Sequence, residues 1–309
     1  MDMPTRVQFP LLLEPKRYCS GTFDLNPDRT SPNLPTLKDW IQVFRASIPS
    51  FESRAAEDTA VPDAESKSKV FAQDYLKILA AVEAKPEGGH GLEGPGQVTC
   101  LKLCAMRDVL LRGLGFDDCF RAIKSRENDT ALTLLPDLLT ELDAIQEEQD
   151  RMLALLKGVF AGNIFDLGAA ASADLFKKSG VDFAGTRAKL KTRPFLIDDA
   201  DKFIQQWHER TYRQAILFVD NAGADVMLGM LPFAREMLRK GTRVVLAANE
   251  VPSINDMTAR ELTEVLSAVH DQTISESLAS GKLKVVSSGS DLPVQNFVIL
   301  SSPNPMLPF

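Results

Sequence analysis

The sequence predicts an α/β protein in which an N-terminal all-helical region packs on a Rossmann-like αβα three-layer domain with a mainly parallel sheet. Three observations carry this reading. From Leu37 onward apolar residues recur at helical spacing, and past about residue 190 short apolar runs alternate with amphipathic stretches instead. Ala215–Val219 and Thr242–Ala248 are continuous apolar runs, as strands buried on both faces require. Between them Val226–Leu238 is apolar almost throughout, and Lys240-Gly241 supplies a helix stop. The unit therefore reads strand–helix–strand, with its two strands parallel and its crossover right-handed.

Taken in order, residues 1–36 form an extended arm rich in proline (Pro4, Pro10, Pro15, Pro27, Pro32, Pro35), anchored by Phe9, Leu11 and Leu12. Trp40, Phe44 and Ile48 share one face of a first helix, which Pro49 is expected to end. Ser66–Glu83 forms a second, with Val70, Tyr75, Ile78 and Leu79 among its apolar positions, and Lys85–Gln97 is a glycine-rich loop. Cys100–Leu114 places Leu103, Met106, Leu110 and Leu114 on one stripe. Cys100 and Cys104 fall one turn apart on it. They read as core thiols, since no second pair completes a four-ligand metal site. Asp117-Asp118 and Glu147-Glu148 read as solvated helix ends and faces, and Leu132–Phe160 as one continuous helix with a bend at Pro136. In Ala161–Gly168, Asn163 and Asp166 are set among glycines and apolar residues. They supply either a polar wall to a site or a helix cap and a helix start. Arg193–Ile197 resembles a short strand, and Asp198-Asp199 begins a helix carrying Phe203 and Trp207. The resulting division is an arm (1–36), a helical domain (37–190), an α/β domain (191–294) and a tail (295–309).

Composition narrows the function classes. A net charge of −7 argues against a general nucleic-acid binder, because phosphate neutralisation needs clustered Lys and Arg. No apolar run approaches bilayer length, and the N-terminus, with Asp2 and flanking prolines, makes a poor signal peptide. Four cysteines in 309 residues fit reduced thiols. The expected setting is cytoplasmic, without nucleic acid or membrane; the oligomeric state is not legible.

In open parallel sheets ligands sit beyond the carboxyl ends of the strands. Asp220 and Asn221 follow the first strand; Asn249, Asn255 and Asp256 follow the second. These are hard oxygen donors suited to Mg²⁺ or Mn²⁺. Alternatively, Asp220 and Asn221 merely form a turn and cap the next helix. There is no Walker phosphate loop, dinucleotide fingerprint, nucleophile elbow or zinc-binding His-Glu-x-x-His. A haloacid-dehalogenase-type phosphatase would carry a second Asp two residues after the first, where this chain has Ala222.

Phe218–Asp225 (FVDNAGAD), Leu231–Glu236 (LPFARE) and Ser253–Asp256 (SIND) closely resemble the damage-control phosphatases, a metal-dependent family formerly known only as a domain of unknown function. Further blocks in the same order are Ile48–Phe51, Val61–Ala64, Arg107–Phe116, Ala161–Gly168, Ile197–Asp199 and Ser288–Pro293. The nearest branch is the stand-alone plant type, related to the C-terminal domain of pantothenate kinase 4 proteins. The resemblance implies a phosphatase for small phosphorylated metabolites, with 4′-phosphopantetheine or its oxidised forms as substrate. It implies a divalent metal (Mn²⁺, Co²⁺, Ni²⁺ or Mg²⁺) on Asp220, Asn221 and Asp256. Asp220 would also be the catalytic carboxylate, as base or as nucleophile, with Asn163, Asp166 and Asp225 bonding phosphate or orienting ligands. The resemblance stops after Val294, and the branch's Glu-Gly-Met-Gly-Arg motif is missing, as in a C-terminally truncated form. Two other readings follow: a catalytically impaired metal-binding or interaction protein, and a nucleotide or S-adenosylmethionine binder with Asp220 on ribose.

Overall fold

The computed structural model describes residues 36–86, 98, 100–164, 183–190, 193–195 and 197–292. The arm before Thr36, most of the glycine-rich loop, Asp166 and the tail lie outside them. Contacts divide the chain into two compact units. One runs to Phe120 and takes in the segment from Ser290, and the other spans Arg121–Gly289.

The first unit contains α1 (Leu37–Ala56), α2 (Ala64–Ala84) and α3 (Cys100–Gly113). Leu37, Ile41, Phe44, Ile48, Phe51 and Ala55 form the buried stripe of α1. The helix continues through Pro49 instead of ending there. A missing N–H and a ring clash cost about 3 kcal/mol, and burial of Phe51 and Ala55 beyond the proline offsets this. Phe51 meets Phe120 at 5.2 Å and Phe71 at 6.3 Å, and Phe71 stacks on Tyr75 at 5.9 Å. On α3 the buried face is Leu103, Cys104, Arg107, Asp108 and Leu111, so the expected stripe is out of phase: Met106 and Leu110 are only half-buried. What the apolar pattern misses is a buried ion pair, Arg107 Nε to Asp108 Oδ1 at 2.8 Å, with the guanidinium 4.5 Å over the Phe51 ring. Asp118 is buried too and accepts the Phe120 N–H at 3.0 Å. Cys100, Cys104 and Cys119 are free thiols.

The second unit runs α4 (Arg121–Ala144), α5 (Glu148–Ile164), α6 (Phe183–Lys189), α7 (Ala200–Glu209), β1 (Gln214–Phe218), a π-helix (Ala224–Met230), α8 (Leu231–Arg239), β2 (Arg243–Ala248), α9 (Ala259–Ser267), α10 (Gln272–Ala279) and β3 (Leu283–Ser287). The sheet is parallel throughout, ordered β1-β2-β3, with Ile216 opposite Val245 and Val245 opposite Lys284. Central β2 is buried on both faces from Val244 to Ala248. β1 is not: Gln214, Ile216 and Phe218 are exposed, and only Ala215 and Leu217 lean on the core. A strand with one covered face has the same continuous apolar sequence as one covered on both.

Within the unit from Arg121, α4 and α5 pack on the π-helix that follows β1. The expected single helix over 132–160 is two. Arg151 Nη1 donates to the Ile145 carbonyl at 2.8 Å and its Nε to Glu236 Oε1 at 3.0 Å, which satisfies the break between α4 and α5. Glu148 is not a solvated end. It accepts from Trp207 Nε1, His208 Nδ1 and Lys240 Nζ. The His208 and Lys240 bonds hold its carboxyl below the ordinary value. Arg193–Ile197 is not a strand, since Asp198 takes the Arg193 guanidinium at 2.9 Å and the Phe195 N–H at 3.0 Å, closing a turn. Among the described residues no helix is long and apolar enough to cross a membrane.

Candidate functional site

Beyond the carboxyl ends of β1 and β2 the chain makes two loops that lie along each other. The Met257 N–H donates to the Asp220 carbonyl at 2.6 Å and the Ala222 N–H to the Asn255 carbonyl at 3.0 Å. These bonds make an antiparallel bridge between Asn221 and Asp256. Asn249, at the end of β2, closes its own loop by donating to the Met257 carbonyl (3.1 Å) and accepting from Ala259 (2.9 Å). Within that loop Ile254 sits at φ 45°, a left-handed conformation that a β-branched side chain resists. Such strain, of about 1–3 kcal/mol, persists where surrounding bonds fix the backbone. Here the fixed residues are the next two, Asn255 and Asp256.

The side chains are oriented in pairs. Asn221 Nδ2 donates to Asp225 Oδ2 at 3.2 Å, which commits the amide nitrogen and leaves Oδ1 as the acceptor end. Asn249 Nδ2 donates to Asp256 Oδ2 at 2.9 Å. Asp220 Oδ1 accepts the Asn221 N–H at 2.9 Å, and this carboxylate is exposed, whereas Asn221, Asp225, Asn249 and Asp256 are buried. Buried polar groups fixed by second partners are the usual support of a coordination shell.

Glycines let the supporting helices approach. A Cβ on Gly162 of α5 would lie 2.8 Å from Asp225 Cα, so α5 touches the backbone of the π-helix in its first turn. Gly223, at φ 79°, comes within 2.7 Å of Glu127 Cβ by the same measure, and its N–H donates to Asn128 Oδ1 at 2.8 Å. One turn earlier on α4, Lys124 Nζ donates to the Asp256 carbonyl at 3.3 Å and pairs with Glu261 at 2.7 Å. Burial pushes the Glu261 carboxyl up, but the Lys124 charge and bond, with the Thr258 N–H and hydroxyl bonds, leave it below its ordinary 4.5.

The structure thus brings Asp220, Asn221, Asp225 and Asp256 to one rim. Asn163 stands exposed at the end of α5, next to the Gly162 that backs Asp225, and Asp166 lies outside the described residues. Sequence reading missed Lys124 and Asn128. A signal existed: the buried stripe of α4 is Ala131, Leu135, Leu138 and Leu142, and stepping back one and two turns lands on these two polar residues. Among the described residues no three His, Cys, Asp or Glu side chains form a metal-holding group. Three of the four rim residues supply two carboxylates and a carboxamide. Asp220, Asn221 Oδ1 and Asp256 offer the hard oxygens that a divalent cation such as Mg²⁺ or Mn²⁺ takes.

The model of the damage-control phosphatase ARMT1-like domain matches residues 43–303, a range that extends past Val294. A damage-control phosphatase of Arabidopsis thaliana is 43% identical over 289 residues, 93% of this chain and 77% of that protein. Pantothenate kinase 2 of Arabidopsis thaliana is 38% identical over 273 residues, covering 85% of this chain but 29% of its own. The 4′-phosphopantetheine phosphatase of Mus musculus is 32% identical over 300 residues, 96% of this chain and 35% of its own. This chain therefore spans about a third of the last two proteins. A DUF89 family protein of Pyrococcus horikoshii aligns with a TM-score of 0.49 at 16% identity, covering 82% of this chain and 74% of its own. With its family model matched from α1 to beyond β3, the chain belongs to the damage-control phosphatases of the ARMT1-like domain family.

Proposed function

We propose that the rim beyond β1 and β2 hydrolyses the phosphomonoester of a small metabolite, 4′-phosphopantetheine or its oxidised forms, with a divalent cation held by Asp220, Asn221 and Asp256. The observation that supports this best is the Asn221–Asp256 bridge, which sets residues of two separate loops side by side. The family is metal-dependent, and the mouse relative named for 4′-phosphopantetheine points to that substrate. When bound, the cation (Mn²⁺, Co²⁺, Ni²⁺ or Mg²⁺) neutralises phosphate charge. The chain's own residues do the rest. Asp225 holds the Asn221 amide so that its oxygen is the coordinating atom, and Asn249 fixes one oxygen of Asp256. Asp220, exposed and tied to the adjacent N–H, is the catalytic carboxylate. Asn163, beside the Gly162 that backs Asp225, would bond phosphate or orient a ligand.

The test is phosphate release from 4′-phosphopantetheine with Mn²⁺ or Co²⁺, run beside Asp256→Ala. Metal-dependent release that the variant lacks is the expected result. Metal-dependent thermal stabilisation without release would support the alternative, a catalytically impaired metal-binding protein. Neither response would exclude both.

A further inference from the structure

We propose that Lys124 and Asn128 are positioning residues: through them α4 sets the separation of the two loops that carry the metal-holding side chains. The proposal rests on the assignment of Asp220, Asn221 and Asp256 above. Lys124 and Asn128 lie one turn apart on the buried face of α4, and each reaches a different loop. Asn128 Oδ1 accepts the N–H of Gly223, two residues after Asn221. Lys124 Nζ donates to the backbone carbonyl of Asp256 itself and to Glu261. Glu261 is fixed in turn by the Thr258 N–H at 2.8 Å and the Thr258 hydroxyl at 2.9 Å. One helix therefore grips a backbone atom in each ligand loop.

Burial makes a purely stabilising role a poor account of Lys124. Its side chain is 2% exposed. Replacing such an ion pair by apolar residues of similar volume is often neutral or stabilising. An apolar residue would match the rest of the stripe, but it would release the Asp256 carbonyl. Gly223 points the same way, since its lack of a Cβ lets the β1 loop reach α4.

The experiment is calorimetric titration of the full chain with MnCl₂, alongside thermal unfolding in EDTA, for wild type, Lys124→Met, Asn128→Leu, Asp256→Ala and Leu135→Ala. Lys124→Met and Asn128→Leu are each expected to weaken Mn²⁺ binding about tenfold, the low end for residues that support a metal ligand. Leu135→Ala, on the same face of α4, is expected to lower the unfolding temperature and leave Mn²⁺ affinity within twofold. Wild-type affinity in a folded Lys124→Met or Asn128→Leu protein overturns the proposal, as does equal weakening in Leu135→Ala. Should Lys124→Met not fold, Asn128→Leu decides alone. Wild-type Mn²⁺ binding by Asp256→Ala would overturn the metal assignment itself, and is read independently of the α4 variants.

Discussion

Thr36–Asp39 at the start of α1 and Thr258–Glu261 at the start of α9 are the same capping box in two settings. In both, the threonine hydroxyl accepts the N–H three residues on at 3.2 Å, and the carboxylate there accepts the threonine N–H at 2.8 Å. The box on α1 is exposed, and Asp39 is held below its ordinary pKa by the Thr36 hydroxyl and N–H, both belonging to the box. The box on α9 is largely buried, and its carboxylate is also the partner of Lys124. There burial works against the charged form, and the Lys124 ammonium overcomes it. A local four-residue motif that elsewhere only starts a helix here also anchors a cation that holds the Asp256 carbonyl. The difference lies in what packs on the carboxylate.

The largest expected effect separating the two boxes comes from removing that carboxylate. Glu261→Ala removes the carboxylate that balances the buried Lys124 charge and leaves the ammonium its bond to the Asp256 carbonyl. Breaking a buried pair costs about 3–5 kcal/mol. Glu261 is 20% exposed, so the low end, about 3 kcal/mol, is expected in urea unfolding. Asp39→Ala, whose carboxylate meets solvent, should be far milder. Losses of similar size would show that the α9 box has no role beyond capping.

A second test uses pH and keeps the shape of the side chain. The folded-state pKa of Glu261 is depressed, so its contribution is complete above its unfolded value of 4.5 and is lost as pH falls through the lower folded value. Glu261→Gln retains a capping-box residue but cannot titrate. Wild type is expected to exceed Glu261→Gln in stability at neutral pH, with the gap closing below about pH 4.5. A gap that stays constant down the acid limb would mean Lys124 does not stabilise the ionised form.

The same contrast explains what the sequence disclosed. The nearness of Asp220, Asn221 and Asp256 was legible because each sits just past a short apolar run or in its following loop, and parallel strands put such positions on one rim. The helical stretches were legible from periodicity. Pro49 misled because local propensity says nothing about the packing of Phe51 beyond it. β1 misled because an apolar run does not reveal whether both faces of its strand are covered. Lys124 escaped notice for a stronger reason: its partners Asp256 and Glu261 are 132 and 137 positions away, and only the folded chain brings them together. Its phase on the α4 stripe was visible, but a buried lysine has meaning only once its acceptors are known.

The smallest expected effect is also the most direct comparison. Thr36→Ala and Thr258→Ala each delete the hydroxyl that accepts the third N–H of its helix. Lost caps cost about 0.5–2 kcal/mol. On α1 water can replace the hydroxyl, so Thr36→Ala should fall near 0.5 kcal/mol. Both hydroxyls also donate to their carboxylates, at 2.7 Å on α1 and 2.9 Å on α9, but on α9 these groups are partly buried and water replaces them less readily, so Thr258→Ala should approach 2 kcal/mol. The Mn²⁺ titration then distinguishes capping from anchoring. Thr36→Ala must leave the affinity untouched, whereas Thr258→Ala, by loosening the carboxylate that Lys124 grips, should weaken it by less than the tenfold expected of Lys124→Met. Equal stability losses with unchanged Mn²⁺ affinity would reduce the two boxes to one function, and α9 would then contribute nothing to the site except its place in the fold.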